Sequence, residues 1–324
     1  MTTHELPANE TNVRVGVIDA SIKPVLSIAD GDDVVMGTWS HWAGQVLPGM
    51  DLEALLALRA DAVLGPHSIT GPIEVVGAEP GDVLRVDVLE LVTGEWGFNL
   101  ALPSPLGRGV LADQFPDGAL RHLRLDRATM TTELLPGIPL PLHPFLGIMG
   151  VFPPDDGPHS SVPPGPFGGN LDLRDLVVGS SIFLPVFRPG AGFYAGDAHA
   201  AQGDGEVNQT AIETSMERAH LRFSVTSKAH LPDLPRLPWV ETPTHLVTIG
   251  LDEDLDLAVR QAVESLVAQL TQRFSLDPYD AYALASLAAD VEVTQVVNRV
   301  KGAHARLQWS TFGQLAGPAG FDVG

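Results

Sequence analysis

The stretch Gly196-Asp197-Ala198-His199-Ala200-Ala201-Gln202-Gly203-Asp204-Gly205-Glu206 sets an imidazole, three carboxylates and an amide among only Gly and Ala. Small neighbours leave polar side chains unshielded, and glycine permits backbone turns that a core segment does not need. Asp197 and His199 stand two apart, so on extended backbone they share a face and can reach one cation. Gly65-Pro66-His67-Ser68-Ile69-Thr70-Gly71-Pro72 places a second imidazole in a Pro/Gly-bounded turn before a strand. Phe167-Gly168-Gly169-Asn170-Leu171-Asp172 adds an amide and a carboxylate that project the same way from extended backbone. His67, Asp172, Asp197, His199 and Glu206 thus form a nitrogen and oxygen donor set suited to zinc or another divalent metal. A lone turn histidine is more often hydrogen-bonded than a ligand, and a solvated or calcium-binding turn competes with this reading.

The elements that must position these residues change along the chain. Gly and Pro, 33 and 27 of the 324 residues, cut the first two thirds into short apolar segments, the pattern of an all-β body. Strands are expected at Val13–Ile18, Val25–Ile28, Asp33–Met36, Ile73–Val76, Val83–Leu91, Leu120–Leu125, Ser181–Phe187 and Ala219–Val225. Asp51–Arg59 reads as a short helix, and His143–Gly150 as pocket lining or buried core. From His245 the pattern becomes strand, amphipathic helix over Leu255–Leu270, a second helix from Asp277-Pro278 to Leu287, then an alternating strand at Val291–Val297. The expected fold is mainly β, a sandwich or barrel-like body at 1–240 carrying the site, with a C-terminal β-α-α-β portion at 241–324 packed on it.

Composition narrows the function. A net charge of −21 disfavours nucleic acid and anionic membrane surfaces. The absence of Cys removes disulfides, thiolate metal sites and every Cys nucleophile. No apolar run approaches the ~18 residues of a membrane span, and the polar N-terminus does not read as a secretory signal, so a cytoplasmic protein is expected. Gly190-Ala191-Gly192-Phe193-Tyr194-Ala195-Gly196 is not a dinucleotide fingerprint, since no amphipathic helix follows to receive a pyrophosphate. Gly179-Ser180-Ser181 opens an apolar strand, and no G-x-S-x-G elbow is present.

Several segments resemble the acetamidase/formamidase family. They are Thr70-Gly71-Pro72-Ile73, Gly77–Asp82, Gly168–Asp172, Gly179-Ser180 through Leu184-Pro185-Val186, Gly196–Glu206, Asp280–Leu284 and Val293–Asn298. The resemblance implies a largely β fold, oligomeric assembly, hydrolysis of short amides to carboxylate and ammonia, and a divalent metal near Asp172 and Asp197–His199. One departure is Ser40-His41-Trp42-Ala43-Gly44-Gln45, where members often carry an Asp; here His41 stands nearby, which leaves metal identity and substrate choice open. On this reading His199, Asp172, Asp197 and His67 hold the metal, with zinc first and calcium or iron as alternatives. Glu206 is the proton-transferring group, and Asn170 or a backbone N–H stabilises the oxyanion. A cupin-like iron enzyme and a non-catalytic β-sandwich with a structural metal are the competing classes. A homo-oligomer burying part of Leu134–Phe152 is expected, because that charge-poor stretch would otherwise expose a large apolar patch.

Overall fold

In the computed structural model, which describes residues 1–59, 64–230 and 237–315, one hydrogen-bonded sheet of 16 strands dominates. Its main path runs through Gly168–Asn170, Phe145–Gly150, Phe193–His199, Glu213–Thr226, Val83–Ala101, Ser181–Pro185, Trp239–Glu241, His245–Asp252, Lys301–Gln308 and Ala289–Gln295. The mainly β expectation holds, and most strands lie where alternation placed them. Val83–Ala101 alternates between buried and half-buried positions along much of its length and extends ten residues past its expected end. It pairs antiparallel with Glu213–Thr226 in the longest ladder of the fold.

The sheet passes without a break from Trp239–Glu241 into His245–Asp252, so the C-terminal portion extends the body's own ladder. Strand Lys301–Gln308, which the β-α-α-β reading lacked, inserts between His245–Asp252 and Ala289–Gln295. Helix Leu255–Phe274 starts where Asp254 accepts hydrogen bonds from the Asp256 and Leu257 N–H groups. It ends at Ser275, which is left-handed. Its Ala262, Leu266 and Leu270 pack on Leu246, Ala305 and Leu307 of the sheet. A Cβ at Gly250 would collide with the Ala258 carbonyl, so glycine there is what lets the helix lie this close. Helix Pro278–Ala288 opens with Asp277 as cap and Pro278 in its first turn.

Two expectations change. The polar glycine-rich segment is not a turn as far as His199: Phe193–His199 is a fully buried strand, paired with Phe145–Gly150, Glu213–Thr226 and Ser68–Val75. Low intrinsic strand propensity is overridden by neighbours on both edges. The stretch Leu134–Phe152 also divides. Phe145 to Phe152 lies in the chain's own core, while Leu134, Leu135 and Ile138 are exposed on the small hairpin of Thr131–Leu135 and Ile138–Pro141. No described helix is long and apolar enough to cross a membrane.

Candidate metal and acid–base site

The end of strand Phe193–His199 carries Asp197 and His199, with His199 Nε2 3.5 Å from Asp197 Oδ2. The neighbouring strand begins at Glu213, whose Oε2 lies 3.2 Å from the same nitrogen. On the other side of the ring, His199 Nδ1 is 3.8 Å from Asp172 Oδ1. Asp172, His199 and Glu206 each offer a ligand atom within 4.8 Å of the others, as do Asp197, His199 and Glu213, and also His41, His67 and Asp197. His199 therefore joins two groups of carboxylates through its two ring nitrogens. The five residues singled out from the sequence as a donor set all converge here.

Asp172, Asp197 and Glu206 have φ of 49°, 55° and 47°. Non-glycine residues seldom adopt this left-handed region, and such strain persists only where surrounding structure over-determines it. Three of the site's acids share it. The turn at Glu206 is docked by Gly205 N–H donating to the Thr294 carbonyl (3.0 Å) and Glu206 N–H donating to the Gly203 carbonyl (3.2 Å). Behind it, Asp204 pairs with Arg174, and Arg306 pairs with Glu292 and Asp175, a second group of acids that two arginines compensate. Beneath the cluster lies Gly147 on strand Phe145–Gly150. A Cβ there would fall 2.5 Å from Asp172 Oδ1, 2.8 Å from His199 Cε1 and 2.9 Å from Asp197 Oδ2.

Three groups reach the site that the donor set lacked. His41 Nε2 sits 2.7 Å from Asp197 Oδ1 and 3.2 Å from Glu213 Oε2, both buried. Glu213 opens strand Glu213–Thr226, ahead of the start expected at Ala219. Asn298 Nδ2 donates to Asp172 Oδ2 (2.5 Å) across 126 residues of chain. Gln295 shapes the turn that delivers Asn298, its Oε1 accepting from the Val297 and Asn298 N–H groups. Gln202 Nε2 fixes the same region by donating to the Asp172 carbonyl (2.8 Å). His67 is oriented by a 2.7 Å contact between Nδ1 and Ser161 Oγ, leaving Nε2 3.9 Å from Asp197. Asn170 is buried, but its Nδ2 donates to the Val162 carbonyl, and no hydrogen bond among the described residues joins it to these carboxylates.

The electrostatics separate the groups. Burial is the largest influence on His67 and pulls it down to about 4, so its imidazole is neutral near pH 7. Burial acts the same way on His41, but the charges of Glu213 and Asp197 outweigh it and raise His41 to about 10. Burial lifts Asp172 to about 7 and, with Asp172 beside it, lifts Glu206 well above the ordinary glutamate value. For Glu213 burial is opposed and overcome by His199 and His41, which hold it at about 2. Burial of Asp197 is likewise overcome by His67 and His199, which hold it well below the ordinary aspartate value, so two acids that favour the proton face two that do not, the arrangement expected of acid–base chemistry.

A divalent cation fits these residues. Asp172 Oδ1, His199 Nδ1, Glu206 Oε2 and Glu213 Oε2 are buried without a hydrogen-bond partner. Leaving each so costs about 1–3 kcal/mol, more for a charged group. Four carboxylates face three imidazoles, and no Lys or Arg among the described residues pairs with them. Imidazole and carboxylate donors suit zinc and other first-row divalent ions.

A pocket of about 150 Å³ opens onto His41, His67 and Asn298, walled by Leu64, Leu102 and Val162. That is below the ~300–1,000 Å³ of sites for drug-sized ligands, and suits a molecule of few heavy atoms.

Comparison with known proteins agrees with this architecture. Over residues 18–161 and 157–305 the chain matches the model of the Acetamidase/Formamidase family. It is 31% identical over 206 residues to an acetamidase of Mycolicibacterium smegmatis, covering 46% of this chain and 51% of that protein. It is 29% identical over 193 residues to a formamidase of Methylophilus methylotrophus, covering 44% of this chain and 47% of that one. The chain thus spans about half the length of the curated relatives it matches. The crystal structure of an acetamidase from Bacillus halodurans superposes with a TM-score of 0.85 at 30% identity, covering 97% of this chain and 100% of the other. A matched fold, a family model spanning most of the chain and a converging set of buried acids and imidazoles lead to one assignment: the chain belongs to the acetamidase/formamidase family.

Proposed function

We propose that this protein hydrolyses the C–N bond of short aliphatic amides of the formamide and acetamide type, releasing a carboxylate and ammonia, with a divalent metal, zinc first, held by His199, Asp172, Asp197 and His67. The observation that carries this reading is the set of buried, unpartnered atoms on Asp172, His199 and Glu206 that face one another at the end of strand Phe193–His199. When bound, such an ion supplies Lewis acidity that polarises a carbonyl and lowers the pKa of water.

The chain's own residues do the rest. Glu206, lifted by burial toward its protonated form, transfers a proton between water and the departing nitrogen. An amide nitrogen leaves only once protonated, so a group that favours the proton is needed next to it. Asn298 and Gln202 orient Asp172, and Ser161 orients His67 so that Nε2 faces inward. Leu64, Leu102 and Val162 displace water from the approach and favour an aliphatic acyl chain. A cytoplasmic location and a homo-oligomer joined through the exposed Leu134, Leu135 and Ile138 complete the reading.

The test is metal analysis of the purified protein, followed by ammonia release from formamide, acetamide and longer amides. Stoichiometric divalent metal with turnover on at least one short amide is expected. A metal-loaded protein that releases no ammonia from any of them would sink the reading, and bound iron with oxygen consumption would move it to the cupin-like class.

A further inference from the structure

Three guanidinium groups, those of Arg59, Arg108 and Arg299, line the pocket that opens onto His41, His67 and Asn298, and no carboxylate among the described residues lines it. All three are exposed, and none makes an ion pair among the described residues. That is unusual on a chain of net charge −21. Elsewhere arginines hold acids, as Arg222 holds Asp33 and Arg306 holds Glu292. Two of the three are placed by segments that also build the site. Arg108 N–H donates to Gln209 Oε1 (2.9 Å), three residues beyond Glu206. Arg299 follows Asn298 directly, at a φ of 69°.

We infer that the preferred substrate of this site is an anionic amide, a short chain with the amide at one end and a carboxylate at the other. The inference rests on the amide-hydrolysis reading and adds the substrate class. An uncharged acetamide gains nothing from three cations at the mouth that have no ion pair among the described residues. A carboxylate gains charge-assisted hydrogen bonds there, bidentate with a planar guanidinium. Its methylenes lie along Leu102 and Val162 while the amide reaches the floor at His41 and His67. Water adds across the C–N bond: hydroxyl goes to the carbonyl carbon and the proton goes to nitrogen, giving a dicarboxylate and ammonium. A cationic mouth also raises the local concentration of an anionic substrate, an effect that salt screens.

The experiment compares succinamate with its neutral isostere methyl succinamate and with acetamide, using metal-loaded protein at low and moderate salt. Succinamate is expected to show the higher kcat/KM at low salt, and to lose that advantage as salt rises. The triple variant Arg59→Gln, Arg108→Gln, Arg299→Gln should lower kcat/KM for succinamate roughly tenfold more than for acetamide, mainly through KM. Arg299→Lys should keep most of the salt dependence, and each single variant covers the case of a poorly folding triple. No preference for the anion, or a triple variant that lowers all substrates alike, overturns the inference. So does a change of oligomeric state in the triple variant, which would assign the arginines to a partner's acids. If no amide is hydrolysed, the amidase reading fails separately. Calorimetric titration with succinamate then decides the pocket: binding abolished by the triple variant upholds anion selection, and absence of binding to the native protein overturns it.

Discussion

Gly147→Ala tests the packing of the site without touching any of its functional groups. Gly147 is not in the left-handed region, so alanine meets no backbone penalty there, only sterics. Ordinary carbon contacts begin near 3.4 Å, whereas the new methyl would lie 2.5 Å from Asp172 Oδ1 and 2.9 Å from Asp197 Oδ2. The two carboxylates must therefore retreat by about 0.9 and 0.5 Å, or the strand must bow away from them. Overpacking of this kind costs about 1–3 kcal/mol. At ~2.1 cal/mol/K per residue, the unfolding entropy of a chain this long converts that cost into a loss of about 1.5–4.5 °C in Tm. Catalysis should suffer more, because a misplacement near 1 Å costs on the order of 100-fold in rate. The assay is thermal unfolding, metal content and ammonia release, measured side by side with Gly203→Ala. Among the described residues, no atom outside its immediate chain neighbours lies within 4 Å of a Cβ at Gly203, so that variant should behave natively. If Gly147→Ala keeps native Tm, metal and turnover, the three side chains are not packed as described and the site assignment falls.

Four further outcomes are expected. His199→Ala should lose bound metal and activity while circular dichroism stays near native; full metal and turnover would remove the ligand role. Glu206→Gln should retain metal and lose about 10²–10⁴-fold in turnover, whereas metal loss would make Glu206 a ligand and unchanged turnover a structural residue. Away from the site, hydrogen bonds from His4 and from the Thr2 and Ala29 N–H groups hold the Asp32 carboxylate down at about 2. A depressed folded pKa gives stability that is complete above the unfolded value near ~3.9 and lost as pH falls through about 2. The gap in urea midpoint between native protein and Asp32→Asn should therefore shrink from pH 5 to pH 2.5, and a gap independent of pH would refute the pairing. Replacing Leu134, Leu135 and Ile138 by Ser should convert a homo-oligomer to monomer in light scattering, and a native protein already monomeric at micromolar concentration would end the assembly proposal.

Much of the site was legible because chemistry-bearing residues stood in poor surroundings. Asp197, His199 and Glu206 among Gly and Ala, and His67 between Gly-Pro pairs, have no packing reason to be what they are. Glu213 gave no such signal: it lies ahead of the expected strand Ala219–Val225 and opens the longer observed one, Glu213–Thr226. Asn298 and Gln295 lie on the far side of two helices, and only the return of strand Ala289–Gln295 to the ladder brings them to Asp172. His41 showed as a departure from the family pattern, yet its pairing with Asp197 depends on a contact 156 residues away in sequence. The strand Phe193–His199 was hidden for the opposite reason. Its Gly, Ala and Asp residues favour turns, and the pairing that overrides them is a property of the whole sheet.

The dispersal of the site along the chain has a consequence for its biosynthesis. His41 leaves the ribosome first of these residues, Asp172, Asp197, His199 and Glu213 follow at intervals, and Asn298 is the last of them. At ~5–20 residues per second, roughly 10–50 s separate the first of these residues from the last. Through that interval the nascent polypeptide carries its histidines and acids without the neighbours that enclose them, and the final ladder strand Lys301–Gln308 has yet to be made. A metal held by this cluster would accordingly meet its complete set of neighbours only after Asn298 and that strand had been made.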